Sequence, residues 1–324
     1  MSGFARMAVA CAVFMVSSVA ALAQAYPNRP IRVIVTFPPG GSTDILARAM
    51  QPHLEKSLGQ PIVIDNRPGA GGDIGVDAVA KAAPDGYTIG IGAAGALSVN
   101  ISLKDKMPYD PQKDLAPITL LTAIPFVMVA GPGFQGQSLA DVVKMAKSGA
   151  DKLTIGHGGN GTAMHLSSEL FNYLAQTKIP LVPYKGSSPA TQDVVAGHIP
   201  LAIVDVPSSQ AMIRDGKIRA LGVTSLKRDS HLPDAPTFVE SGVKDYESIG
   251  WFGLIAPAGT PADIIRKLNE TFVAAMNDPT VKERIYQSGA VARPTTPQEF
   301  AAFIKNETDK WAAIIKAAGV KVSN

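Results

Sequence analysis

Residues 115–130 read LAPITLLTAIPFVMVA, a nearly continuous apolar run interrupted at Pro125. A run this long suits one extended strand crossing between two sheets better than a strand confined to one small sheet. Residues 249–256, IGWFGLIA, are again extended and apolar and offer a return passage. Two α/β lobes joined by two crossings make a hinged clam shell, and the cleft between them is the default place for a ligand.

On both sides of the long run, short β-branched segments alternate with amphipathic helical stretches, the pattern of α/β folding around mostly parallel sheets. Before it, strands are expected over 31–36, 61–65 and 88–92, with helices over 42–58 and 74–82. After it, helices are expected over 138–147, 162–174, 189–196 and 208–215, and strands over 152–155, 179–184, 201–204 and 219–224. Thr260 is expected to cap a helix with Pro261 at its first position, and a final helix carries Phe300, Phe303, Ile304, Trp311, Ile314 and Ile315 as core packing before stopping at Gly319. Lobe 1 is therefore expected to comprise 26–122 and 250–324, and lobe 2 to comprise 123–249.

The chain begins with Arg6 followed by an apolar run over 7–22 and alanines at 21, 23 and 25, which reads as a secretory signal peptide over 1–25. Cleavage after Ala23 or Ala25 satisfies the small-x-small rule, and the second is preferred because it leaves Tyr26-Pro27-Asn28-Arg29-Pro30 at the start. A periplasmic location follows. The only cysteine among 324 residues is Cys11, inside that run, so the exported part has no disulfide framework and depends on a packed core. A formal charge of +3 without a polybasic cluster argues against nucleic acid or an anionic membrane as partners.

Two strand-to-helix loops carry most of the functional information. The first runs Phe37-Pro38-Pro39-Gly40-Gly41-Ser42-Thr43-Asp44, and the second runs Gly156-His157-Gly158-Gly159-Asn160-Gly161-Thr162. Glycines let a backbone approach a ligand closely, and first-turn helix amides lack intrahelical acceptors and attract anions. If both loops face one cleft, a carboxylate is held without any arginine. Ordinary turn and capping chemistry is the alternative for either loop alone. Asp44 would repel an adjacent anion, and is expected to point away or cap local amides.

Residues 156, 158 and 161 fit a Gly-x-Gly-x-x-Gly spacing, but the next strand ends in Tyr184-Lys185-Gly186 where a dinucleotide site wants an acid. No nucleophile elbow, zinc helix, calcium loop or phosphate-binding loop is present, so neither a cofactor, a metal nor an enzymatic activity is expected. His157 and His165 flank the second loop; each can touch ligand or be solvated nearby. Tyr184 and Asp205 close strands at the sheet edge where α/β proteins bind ligands, although Asp205 can equally cap the following helix.

The sequence also resembles the Bug family, the extracytoplasmic receptors of tripartite tricarboxylate transporters. The resemblance rests on Tyr26-Pro27-x-x-Pro30, Pro39-Gly40-Gly41-Ser42-x-Asp44, Asn66-Arg67-Pro68-Gly69-Ala70-Gly71-Gly72 and Pro84-Asp85-Gly86-Tyr87. It continues through Gly161-Thr162-x-x-His165-Leu166, Tyr184-Lys185-Gly186, Arg219-Ala220-Leu221-x-Val223-Thr224-Ser225 and Trp251-Phe252-Gly253-Leu254-x-Ala256-Pro257-x-Gly259-Thr260-Pro261. It implies a periplasmic-binding-protein fold and a monomeric receptor that hands a small carboxylate to membrane subunits of such a transporter. It further implies that Gly40, Gly41, Ser42 and Thr43 from one lobe and Asn160, Gly161 and Thr162 from the other hold the carboxylate. Phe37, His165, Tyr184 and Asp205 complete the expected ligand-binding set. His157 departs from the small or hydroxyl residue that relatives often carry, and Val206 from a polar amide. A sensing role through a kinase, or a secreted hydrolase, are the rival readings, and an aliphatic, amino-acid or aromatic carboxylate all remain open.

Overall fold

The structure is a computed structural model, and it describes residues 26–149 and 153–318. The leader over 1–25, the expected strand start at Lys152 and the helix stop at Gly319 lie outside the described residues. The first half opens with β1 (Ile31–Val35), α1 (Ser42–Leu58), β2 (Ile62–Asn66), α2 (Asp73–Ala80) and β3 (Thr88–Ala93). A π turn over Gly95–Val99 then leads into the short α3 (Asn100–Leu103), and β4 spans Leu115–Ala130. The alternation restarts with α4 (Leu139–Lys147), β5 (Ile155–His157), α5 (Ala163–Leu174), β6 (Leu181–Pro183), α6 (Ser187–Val195), β7 (Leu201–Asp205), α7 (Val206–Arg214) and β8 (Arg219–Val223). The long β9 (Ile249–Pro257) follows, then α8 (Ala262–Asn277), α9 (Pro279–Gln287) and α10 (Pro297–Ala318).

The strand order is β2-β1-β3-β9-β4-β7-β5-β6, with β8 also pairing β4. Parallel pairs, β1 with β2 and β3 and β5 with β6 and β7, occupy the two flanks, while β4 and β9 run antiparallel between them. β4 changes partners at the expected interruption: residues up to Pro125 pair with β9, and from Phe126 onward they pair with β7 and β8. The long apolar run is thus one strand shared by two sheets. Its alternation supplies both sides, with Phe126 and Met128 in one core cluster and Val127 and Val129 in another.

The same period-2 logic organises β1, where Val33 and Val35 pack with Leu46, Met50 and Phe272 while Ile34 faces Val76 and Val79. Each such fully buried side chain contributes about 1.5–3 kcal/mol. The final helix packs over β4 and the π turn and reaches β9 where Gly253 leaves the space that the Phe300 ring fills. Glu307 on that helix accepts from Trp251 Nε1 at 3.1 Å and Trp311 Nε1 at 3.2 Å, tying the helix to the crossing strand.

The first helix starts at Ser42 as expected, and other helix starts differ from the sequence expectation by a residue or two. Thr162 is the N-cap of α5, accepting from His165 N–H, and Ser138 forms a reciprocal capping box with Asp141 on α4. Near residue 260 the expectation is corrected: Pro261 occupies the N-cap position, and the Thr260 hydroxyl donates instead to Pro257 O at 2.8 Å. A separate α9 emerges because Asp278 caps it through Thr280 and Val281 amides, with Pro279 at its first position.

Candidate ligand-binding cavity

Four helices point their N-termini at one cavity between the two halves. Each follows a strand at its carboxyl end, and because β1 runs opposite to β5, β6 and β7, the two flanks end toward each other across the crossing strands. At α1 the N-cap residue Gly41 offers no side-chain cap, and Ser42 and Thr43 line the space. The Thr43 hydroxyl is buried without a hydrogen-bond partner, an arrangement that costs free energy unless something in the cavity engages it. At α6 the cap is Gly186, at φ 127°, again without a side-chain cap, and Ser187 and Ser188 face the cavity.

The other two helix starts are already engaged. Thr162 caps α5 and donates its own hydroxyl to Gly159 O at 2.7 Å. Asp205 caps α7 by accepting from Ser208 N–H at 3.1 Å, and also accepts from Ser187 Oγ at 2.7 Å. The capping alternative for Asp205 is therefore realised, while its side chain still forms part of the cavity wall.

Asp44 folds away from the cavity, accepting from Gly40 N–H at 3.0 Å, Arg48 Nε at 2.9 Å and Asn66 Nδ2 at 3.2 Å. Burial pushes its carboxyl up, but those hydrogen bonds and the Arg48 charge outweigh it and hold the group below the usual range. The wall between the helix ends is apolar, built from Phe37, Phe126, Met164, Trp251 and Phe252. Among the described residues no Lys, Arg or His lines it. A bound anion would thus meet amide dipoles and hydroxyls in a dry setting, where such contacts are stronger than in water.

Of the expected site residues, Phe37, Gly41, Ser42, Thr43, Thr162 and Asp205 meet at this cavity. Gly40 sits one residue outside, at φ 76°, and presents its amide to Asp44. Asn160 and Tyr184 line a neighbouring outer cleft with Lys104 and Lys185, which shares Phe37 and Gly71 with the cavity. The Tyr184 hydroxyl donates to Asp193 at 2.7 Å, and burial together with that carboxylate pushes it up to about 12. Gly161 presses against the first half at Asn100 and does not line the cavity.

His165 does not line it either: its buried ring lies 4.9 Å from the His157 ring, and its Nε2 is 3.6 Å from Glu169. His157 Nδ1 accepts from Gly159 N–H at 3.2 Å, and burial, followed by the neighbouring His165, pushes His157 down to about 3. Residues not in the expected set include Gly71, Gly95, Gly186, Ser187 and Ser188. The signal for the last three is the same as for the first loop, a strand running through glycine into a hydroxyl-bearing helix start. Among the described residues no cluster of three or more His, Cys, Asp or Glu is placed to hold a metal.

A two-sheet α/β scaffold with strand-end helix N-termini around an interhalf cavity defines a solute-binding protein of the periplasmic-binding class. Residues 46–320 match the family model for the tripartite tricarboxylate transporter family receptor, and the chain belongs to that family. It is 38% identical over 301 residues to Protein BugT of Bordetella pertussis, covering 93% of this chain and 92% of BugT. Among solved structures, Rpa4515 of R. palustris with adipate superimposes with a TM-score of 0.88 at 35% identity, over 91% of this chain and 99% of that one. MatC of Rhodopseudomonas palustris with bound malate gives 0.85 at 34% identity, over 90% and 100%. The family consists of periplasmic solute-binding receptors and not enzymes.

Proposed function

We propose that this protein is exported by a leader over 1–25, cleaved near Ala25, and captures a small carboxylate in the cavity between lobe 1 (26–122 and 250–324) and lobe 2 (123–249). It then delivers that ligand, as a monomer, to the membrane subunits of a tripartite tricarboxylate transporter. The observation that carries the reading is the uncapped start of α1, with the buried Thr43 hydroxyl unpartnered beside it, in a cavity that no cationic side chain lines among the described residues. The carboxylate sits on the Ser42 and Thr43 end of α1 and the Gly186–Ser188 end of α6, and its body lies against Phe37, Phe126 and Trp251. The adipate and malate bound by relatives support this class of ligand.

A thermal-shift panel of aliphatic di- and tricarboxylates, acidic amino acids and aromatic acids tests it. A ligand present at a hundred times its Kd stabilises the folded state by about 2.7 kcal/mol. Shifts with sugars or cations but with no carboxylate would sink the proposal. Delivery is tested by co-purification of the liganded protein with the transporter's membrane subunits.

A further inference from the structure

At three of the glycines where the two halves meet, the atom a side chain would strike belongs to the opposite half and is braced there. A Cβ on Gly71 would lie 2.6 Å from Asn160 O. One on Gly161 would overlap Asn100 Oδ1, and one on Gly95 would overlap Gly161 O while lying 3.1 Å from Thr162 Cα. Gly71 and Gly161 also need glycine for their backbone, with φ of 72° and 78°. Gly95 has no such requirement, since it is not among the residues in the left-handed region. Its nearest would-be neighbours are all backbone atoms across the cleft.

The first half is braced at this seam. Asn100 Nδ2 donates to Asp73 Oδ1 at 2.8 Å, and Asp73 also accepts from Tyr109 Oη at 3.0 Å and Lys104 Nζ at 2.6 Å. The opposing atoms at Gly161 and Thr162 enter α5, with Thr162 fixed to Gly159 by its hydroxyl. Close-packed backbone on both sides cannot yield to an added methyl by a rotamer change.

We propose that Gly95 is a closure-determining residue: the absence of a side chain there lets the two halves meet backbone to backbone and shut the cavity. This rests on the reading of the protein as a receptor whose lobes open and close. The cleft holds a reporter of closure that needs no ligand, because Ser42 Oγ and Ser208 Oγ lie 3.4 Å apart across it. In a Cys11→Ser background, Ser42→Cys and Ser208→Cys are bridged with dibromobimane, and the rate is compared with and without Gly95→Ala. Bridging is expected in the pair alone and is slowed about tenfold or more by Gly95→Ala, with the far-UV circular dichroism unchanged.

Equal rates with and without Gly95→Ala overturn the proposal. So does a pair that never bridges, which would mean this seam does not close. Loss of folded circular dichroism in Gly95→Ala also overturns it, because the glycine would then serve packing within its own half. No carboxylate enters this measurement, so a failed ligand panel counts against the receptor reading and leaves the bridging result to be judged separately.

Discussion

The two glycine loops look alike in sequence and differ in what their helices have left to offer. After β1, α1 begins without a side-chain cap, its first-turn acid is turned back onto Arg48 and Gly40, and the Thr43 hydroxyl is buried without a partner. After β5, α5 begins on Thr162, its loop is wired by Thr162 and His157 to Gly159, and Gly161 is pressed onto the other half. In the proposed function the first loop holds a ligand group, while the second is committed to its own shape and to the opposite half. A glycine-rich strand-to-helix turn is thus a competence, and the caps decide how it is used.

Acid should expose the second loop most. The His157 folded-state value is pushed down from its ordinary value to about 3, so the unfolded chain takes up that proton first. Stability from this group is full above about pH 6.5 and is lost as pH falls toward 3, a change of up to about 4–5 kcal/mol. Urea titrations across that window should show a shallower fall for His157→Asn, whose amide oxygen can still accept from Gly159 but does not titrate there. Parallel curves for the two proteins would remove His157 from the account.

Next in size is Thr43→Val, which keeps the shape and deletes the unpartnered hydroxyl. Calorimetry with whichever carboxylate the panel identifies should show affinity about 10- to 100-fold weaker, with the ligand-free melting temperature unchanged or raised. Thr162→Val should do the reverse, lowering stability by about 0.5–2 kcal/mol through the lost cap and moving affinity less. If the two substitutions exchanged these effects, the division of labour between the loops would be wrong. The smallest change is expected from Arg48→Ala. It leaves the Asp44 charge uncompensated at the start of α1, which should weaken anion binding by a few tenths of a kcal/mol, about twofold, and more at low salt than at high salt.

Much of the scaffold was legible because periodicity reports burial directly. The 115–130 run could be read as a crossing because no single small sheet needs so many consecutive apolar positions, and β4 does serve two sheets. The first loop was legible for a related reason: glycine followed by hydroxyl residues at a helix start leaves few local alternatives. His165 was not, since the periodicity of α5 assigns faces to a helix but not the neighbour on each face, and the observed neighbour is His157. Which residue of the 184–188 strand end reaches the cavity is not legible either: Ser187 and Ser188 line it, while the Tyr184 hydroxyl is committed to Asp193.

By itself the sequence determined the α/β alternation, the two crossings, the glycine loops and, by its ordered motifs, the family. These are properties of local pattern, in which each residue's preference and its neighbours' spacing carry the information. Only the tertiary structure decided that Asp205 caps α7 and contacts Ser187, that the Thr43 hydroxyl is buried without a partner, and that Gly95 faces the Gly161 backbone across the cleft. Those outcomes depend on atoms far apart along the chain, as between positions 95 and 161, and no local spacing encodes which of them meet when two sheets fold toward one another.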